Sequence, residues 1–372
     1  MLDVDFFIGA LEPKGATWGM GLEKIIKKIR FKYHILFSPK FKGNFPILNL
    51  SLPFRLIKGK YHVFLSGALE FPGTYVAFIC SRMLRKPFIL WFGETSKSFR
   101  AAVKRSFLYR LFRLYILKPI IKWILASSDA FIVYGFEQKK HLIYLGAPAN
   151  KIQVALNAHD VSFITDLDAN RFSFLQEKYK IFLKEKYNYS KRYILYTGSI
   201  ILSKRLDTLL YAFDLLSKER NDVVLLIVGS GPDKSELLKI AEQLNVASNV
   251  HFLDAVPREE LAFFYDLCDL FVLPGPGGVT LVEAMYAGKP VIASYECDNA
   301  LLLVKDNING YLVSPGNIHE LYLAIKNILL KDQKTLKEMG HCSRKIVEQT
   351  CSIENMAKVF ENVILSVMKK RY

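Results

Sequence analysis

Two α/β domains, each a doubly wound parallel sheet, are predicted by three features of the sequence. Short apolar runs alternate with helical patterns along the 372 residues, the layering of parallel sheets flanked by helices. Those runs fall into two sets with a polar stretch between them. The chain is also long enough to give each set its own core, and its composition, 51% hydrophobic and 23% charged, is that of a globular protein.

In the first half we expect strands near Val4–Ile8, His34–Phe37, His62–Ser66, Phe88–Phe92, Ala130–Val133 and Ile152–Leu156. In the second half they fall near Tyr193–Thr197, Val223–Val228, Val250–Phe252, Leu270–Leu273, Val291–Ala293 and Gly310–Val313. The polar stretch from Val161 to Arg192 sets the division: a first domain over residues 1–170, a linker over 171–192 and a second domain over 193–352. Only helices follow the last strand. Ligands of such sheets bind beyond the carboxyl ends of the strands.

The segment Asp269–Ala293, DLFVLPGPGGVTLVEAMYAGKPVIA, carries the most chemistry. A buried strand leads into a loop with Gly275, Gly277 and Gly278, then a helix over Val279–Tyr286 and a second strand. A glycine loop at a helix N-terminus presents free N–H groups and the positive end of the helix dipole. Glu283, one turn in, is placed to accept hydrogen bonds from hydroxyls. Phosphate at the loop and a polyol at the carboxylate describe a sugar nucleotide. An ordinary βα turn with a solvated glutamate has the same local pattern. Two further loops follow predicted strands: Tyr196-Thr197-Gly198-Ser199 with Lys204 after it, and Val228-Gly229-Ser230-Gly231-Pro232. Lys204 can neutralise phosphate or stand as a solvated charge, and Gly229 and Gly231 can serve chain reversal alone. Three such loops at strand ends favour a common site.

These blocks, YTGSIILSKRLDTLLYAF, LLIVGSGPDKSELLKIAEQL, NVHFLDAVPREELAFFYDLCDLFVLP, GGVTLVEAMYAGKPVIAS and NINGYLVSPGNIHELYLAI, resemble the family 4 retaining glycosyltransferases. Over the first domain the resemblance is looser and rests on DAFIVYGFEQKKHLIYLGAPANKIQVALNAHD. It implies GT-B architecture, two facing Rossmann-like domains, with a last helix near Ile353–Met368 that returns to the first domain. It implies that Lys204 binds the donor pyrophosphate and Glu283 the nucleotide ribose. The backbone from Gly277 through Gly278 and Val279 to Thr280 would cradle phosphate or sugar, and Val256 would lie near the base. Gly198, Ser199, Arg205, Gly229 and Gly275 complete the expected donor site. A fixed cation and oriented N–H groups stabilise a leaving diphosphate without a metal or cofactor. Two positions depart from the family: Gly275 stands where a glutamate is usual, removing one sugar-orienting carboxylate, and Ser199 stands where an arginine is usual.

On the acceptor side, Glu94 follows the strand Phe88–Phe92 and is a candidate to orient or deprotonate an acceptor hydroxyl, or simply a helix-capping acid. The start has two readings. Asp3–Ile8 with Gly15, Gly19 and Gly21 is either the family's first strand and glycine loop or the second strand of a chain lacking its beginning.

Net charge is +17 over residues 1–190 and −1 over residues 191–372, together the chain's +16. A basic half attracts polyanions. Between Lys104 and Trp123, Lys104, Arg105, Arg110, Arg113, Lys118 and Lys122 alternate with aromatic residues, which suits an anionic membrane surface or a partly buried helix with solvated charges. No nucleic-acid motif accompanies them. No apolar run reaches a membrane span, and no secretory signal is read at the start. The five cysteines, Cys80, Cys268, Cys297, Cys342 and Cys351, lack paired spacing, which argues for a reducing compartment and against a zinc site.

The expectation is a cytoplasmic enzyme, peripheral at the inner face of the cell membrane. It would move a sugar from a UDP- or GDP-sugar to a lipid-linked glycan, glycolipid or polysaccharide in cell-envelope assembly. The alternatives are a nucleotide-sugar epimerase of the same architecture and a non-catalytic donor-binding scaffold.

Overall fold

The computed structural model describes residues 6–9, 33–36, 51–67, 69, 72–93, 118–156, 158, 161–165, 173–175, 177–179, 192–297 and 299–370. The chain forms two compact units, Met1–Ala155 with Ala357–Tyr372, and Leu156–Met356. The α/β class is as expected: every strand pair named is parallel.

In the first unit β1 (Phe6–Gly9) pairs with β2 (Tyr33–Leu36). A second sheet runs β3 (Phe64–Gly67), β4 (Phe88–Phe92), β5 (Ala130–Val133), β6 (Ile152–Val154) in sequence order. The helices are α1 (Ser51–Lys58), α2 (Pro72–Met83), α3 (Lys118–Ser127) and α4 (Phe136–Tyr144). Phe78 of α2 fills the core, edge-on to Phe88 at 5.3 Å and to Trp123 of α3 at 4.8 Å. Gly15, Gly19, Gly21, Glu94 and the basic stretch from Lys104 through Arg113 lie outside the described residues.

The second unit holds one six-stranded sheet built from β7 (Arg192–Thr197), β8 (Val223–Val228), β9 (Val250–Leu253), β10 (Leu270–Leu273), β11 (Val291–Ser294) and β12 (Gly310–Val313). All six residues of β8 and all four of β10 and β11 are buried, the continuous apolar run of a parallel strand covered on both faces. The unit's helices of eight or more residues are α5 (Leu206–Ser217), α6 (Lys234–Gln243), α7 (Arg258–Leu267), α8 (Val279–Tyr286), α9 (Ile318–Leu329) and α10 (Gln333–Thr350), and α11 (Ile353–Lys369) passes from this unit to the first. Side-chain oxygens cap two of them: Asn317 accepts from the Glu320 N–H and Asp332 from the Thr335 N–H. The strand order is β12-β11-β10-β7-β8-β9, so winding reverses between β7 and β10. Loops leaving neighbouring strands on opposite sides of such a reversal open a crevice between them.

The second unit begins earlier than expected. Leu175 and Tyr179 are buried in its core, and Leu156, Val161 and Phe163 pack against that core. These described apolar side chains, spaced through a polar stretch, thus belong to the core of the second unit. α11 starts in the second unit and ends in the first, where Phe360 meets Trp91 edge-on at 5.5 Å.

Candidate functional site

The loops leaving β7, β8 and β10 touch one another backbone to backbone. The Gly198 N–H donates to the Val228 carbonyl at 3.0 Å, and the Ile200 N–H to the Ser230 carbonyl at 2.9 Å. A Cβ on Gly229 would lie 1.8 Å from the Gly198 carbonyl oxygen, and one on Gly231 would lie 2.0 Å from that of Ile200. Both glycines are therefore required by loop-to-loop approach. Across the reversal, a Cβ on Gly275 would lie 2.6 Å from both the Ser203 carbonyl oxygen and the Lys204 carbonyl carbon. The backbone of Ser203 and Lys204 occupies the ground from which a side chain at position 275 would start.

Lys204 ends a single 3-10 turn, and Arg205 after it takes the left-handed conformation (φ 54°) that turns the chain into α5. The Lys204 ammonium donates to the Pro276 carbonyl and would stand 3.2 Å from a Cβ on Gly277. Its charge thus lies over the glycine loop, at the N-terminus of α8. Gly278 occupies the N-cap and no side chain caps that end. The first N–H groups of a helix have no acceptor within it. Val279 is exposed and Thr280 half-buried. Arg205 bonds Glu296 through its Nε at 2.9 Å, so its charge is already paired. Ser199 is exposed, and its carbonyl accepts from the Tyr196 hydroxyl at 2.9 Å. Beneath the loop, the Cys297 thiol donates to the Gly275 carbonyl at 3.0 Å.

Glu283 is buried, at 3% exposure, rather than solvated. Arg258, at the first position of α7, donates to its Oε1 from Nε at 3.2 Å and from Nη2 at 2.8 Å. Tyr265, one face of α7 further on and fully buried, donates to Oε2 at 3.0 Å. The Tyr265 oxygen also lies 3.0 Å from Thr197 Oγ1 at the end of β7. A hydroxyl has one proton to give, so the polarity runs from Thr197 to Tyr265 to Glu283. Burial raises the carboxyl's pKa above the ordinary value, and the Arg258 guanidinium and Tyr265 hydroxyl pull it back part of the way. Burial and the Glu283 charge push Tyr265 well above the usual phenol range, so it remains a donor. Val256, half-buried in the loop after β9, precedes Arg258 by two residues.

Of the residues expected from sequence, Gly198, Lys204, Gly229, Gly275, Gly277 and Gly278 converge across the β7/β10 reversal. Glu283 sits behind them, reached through Tyr265. Arg258, Tyr265, Glu296 and Cys297 were not expected at the site, and Thr197 was expected only as part of the loop after β7. Only Arg258 left a trace: a cation in the first turn opposes the helix dipole, which favours acids there, as at Glu259 and Glu260. Among the described residues no group of three His, Cys, Asp or Glu side chains is placed to hold a metal ion.

Residues 178–346 match the family described as glycosyl transferases group 1. The chain is 29% identical over 176 residues to a GDP-mannose-dependent α-(1-6)-phosphatidylinositol monomannoside mannosyltransferase of Mycobacterium tuberculosis, a match covering 44% of this chain and 45% of that protein. It is 25% identical over 233 residues to the poly(ribitol-phosphate) α-N-acetylglucosaminyltransferase of Staphylococcus aureus, covering 61% of this chain and 47% of that one. The chain thus spans about half the length of these curated relatives. Among solved structures, HepE of Anabaena in complex with UDP superposes with a TM-score of 0.73 at 17% identity, covering 97% of this chain and 99% of that chain. That likeness is one of fold. The loops, Lys204 and the Glu283 network therefore all lie within a stretch that matches the group 1 glycosyltransferases, in a chain with the fold of GT-B glycosyltransferases.

Proposed function

We propose that the protein is a retaining glycosyltransferase that binds a nucleotide-sugar at the β7/β10 reversal and transfers its sugar to a lipid-linked or glycan acceptor. The observation that carries this reading is the meeting of Lys204, the Gly275–Gly278 loop and the uncapped N-terminus of α8 at the strand reversal. As the bond from the anomeric carbon to the diphosphate breaks, negative charge grows on the leaving oxygen. Lys204 and the loop N–H groups are fixed in advance to receive it, without a metal. The acceptor oxygen forms the new bond and loses its proton, a role we assign to Glu94. Glu283 holds the ribose. UDP bound in the HepE structure and the GDP-mannose dependence of the mycobacterial relative make uridine and guanosine diphosphates the first candidates.

We also assign the first unit to an anionic membrane surface. α1, α2 and α3 contain no acidic residue, and Arg55, Lys58 and Lys122 accompany exposed Phe54 (69%), Met83 (70%) and Trp123 (51%). Basic stems with aromatic and thioether side chains suit a headgroup interface. Among the described residues no helix is long and apolar enough to cross a membrane. The phosphatidylinositol-linked acceptor of the mycobacterial relative points the same way.

A second reading, a donor-binding subunit without turnover, is favoured by one feature: Gly275 has no room for the carboxylate that the family carries there. Calorimetric titration with UDP, GDP, ADP and their sugar conjugates, followed by a turnover assay with lipid-linked acceptors, tests both readings. Binding of one nucleotide-sugar, with its sugar joined to the acceptor and its diphosphate released on acceptor addition, is the expected result. Binding of the nucleotide-sugar without release of its diphosphate under any acceptor would favour the subunit.

A further inference from the structure

We propose that Arg258 is a positioning residue that keeps the Glu283 carboxylate ionised and restricts it to a single hydroxyl of its ligand. The inference rests on the nucleotide-sugar reading above and adds to it a specificity that the carboxylate alone would not have. An ionised carboxylate offers about four lone-pair sites, two on each oxygen. Arg258 directs both Nε and Nη2 to Oε1, at 3.2 and 2.8 Å, which fills that oxygen. Tyr265 takes one site on Oε2 at 3.0 Å. One site remains, on Oε2. A ribose offers two neighbouring hydroxyls, and only one of them can be accepted.

Arg258 is itself held in place. Its guanidinium carbon lies 4.7 Å over the ring of Phe163, so the side chain is clasped between a carboxylate and an aromatic face. Removing it would leave Glu283, 3% exposed in the intact chain, with Tyr265 alone as partner, and burial without a counter-ion favours the neutral acid. A neutral acid is a poorer acceptor for a hydroxyl. Among the described residues, Arg258 and Tyr265 are the charged or titratable groups facing the carboxylate. The strands against α8, β10 and β11, contribute no charged residue, and α10 on its other side sets Arg344 and Glu348 near Tyr286 instead.

The test uses the full chain with whichever of UDP, GDP or ADP binds, its 2′-deoxy and 3′-deoxy analogues, and the variants Arg258→Met, Arg258→Lys and Glu283→Gln. In the wild type one analogue should bind about tenfold or more weakly and the other within about threefold of the parent. Arg258→Met should lose about tenfold in affinity near neutral pH and recover as pH rises toward about 9, because ionisation of Glu283 is then displaced upward. Arg258→Lys should restore the flat profile, and Glu283→Gln should be weak at every pH. The phosphate's own titration is common to all four proteins. Equal losses for both analogues, or an Arg258→Met variant equally weakened at all pH values, would overturn the proposal. If no diphosphate binds the wild type, the nucleotide-sugar reading fails by itself. The carboxyl carbon of Glu283, followed by 13C NMR in the ligand-free protein, then decides the Arg258 question: an upward displacement in Arg258→Met supports it, and none refutes it.

Discussion

Gly275 lies against the backbone of Lys204, so close that a Cβ would stand 2.6 Å from the Lys204 carbonyl carbon. The contact is backbone to backbone, and no flexible side chain is available to move aside. Gly275→Ala should therefore lower stability by about 1–3 kcal/mol, the usual cost of overpacking, read from the urea midpoint. Gly275→Glu, which would reinstate the carboxylate of the related family, should do the same and lower nucleotide affinity rather than raise turnover. A Gly275→Glu protein with wild-type stability and faster transfer would show that the loop has room after all.

Lys204 and Arg205 are adjacent cations with different states of pairing. The first reaches over the glycine loop to the Pro276 carbonyl, while the second is bonded to Glu296. Lys204→Ala should cost about tenfold or more in diphosphate affinity, and Arg205→Ala about threefold or less, in calorimetry at fixed ionic strength. Equal losses would mean that Arg205 breaks its pair to meet the ligand.

Glu283 gives a pH dependence with a defined sign. Its folded pKa is raised above the ordinary carboxyl value, chiefly by burial. The folded state therefore binds the proton more tightly than the unfolded state. The associated stability is complete below the ordinary pKa, about 4.3, and is lost as pH rises through the folded value. Glu283→Gln lacks that proton. The stability of the wild type relative to Glu283→Gln should thus decline as pH is raised from about 4 toward neutrality. Parallel curves would show that the carboxyl is not perturbed in the folded protein.

The Trp91–Phe360 contact makes a prediction for the last helix. Val363 and Val367 of α11 are buried, and Phe360 covers one edge of a tryptophan that remains 37% exposed. Phe360→Ala should cost about 1 kcal/mol and shift tryptophan emission toward longer wavelength. Unchanged emission would mean that the contact does not persist in solution.

Much of this architecture was legible in the residues themselves. Runs such as Val223–Val228 and Leu270–Leu273 are uniformly apolar and bounded by glycine or proline, so strand position and burial coincide. The helix Val279–Tyr286 follows a loop of glycines and is followed by Gly288, and its limits were expected as found. What was not legible depends on contacts distant in the chain. Arg258 and Tyr265 reach Glu283 across 25 and 18 residues, and no local pattern records that convergence. Nor does any local pattern record that Glu283 is buried, with most of its acceptor capacity used by Arg258 and Tyr265. Leu175 and Tyr179 stand in a stretch too short and too charged around Tyr179 to mark a core by periodicity, yet they are buried in the second unit.

Positions 229, 231 and 275 have no space for even a methyl group beside their neighbouring loops. Substitution from within cannot reshape that cluster. Change at this cluster is thereby channelled to its exposed neighbours, Ser199 and Val279. Fixed and variable positions are thus interleaved within one short set of loops, not sorted into separate segments.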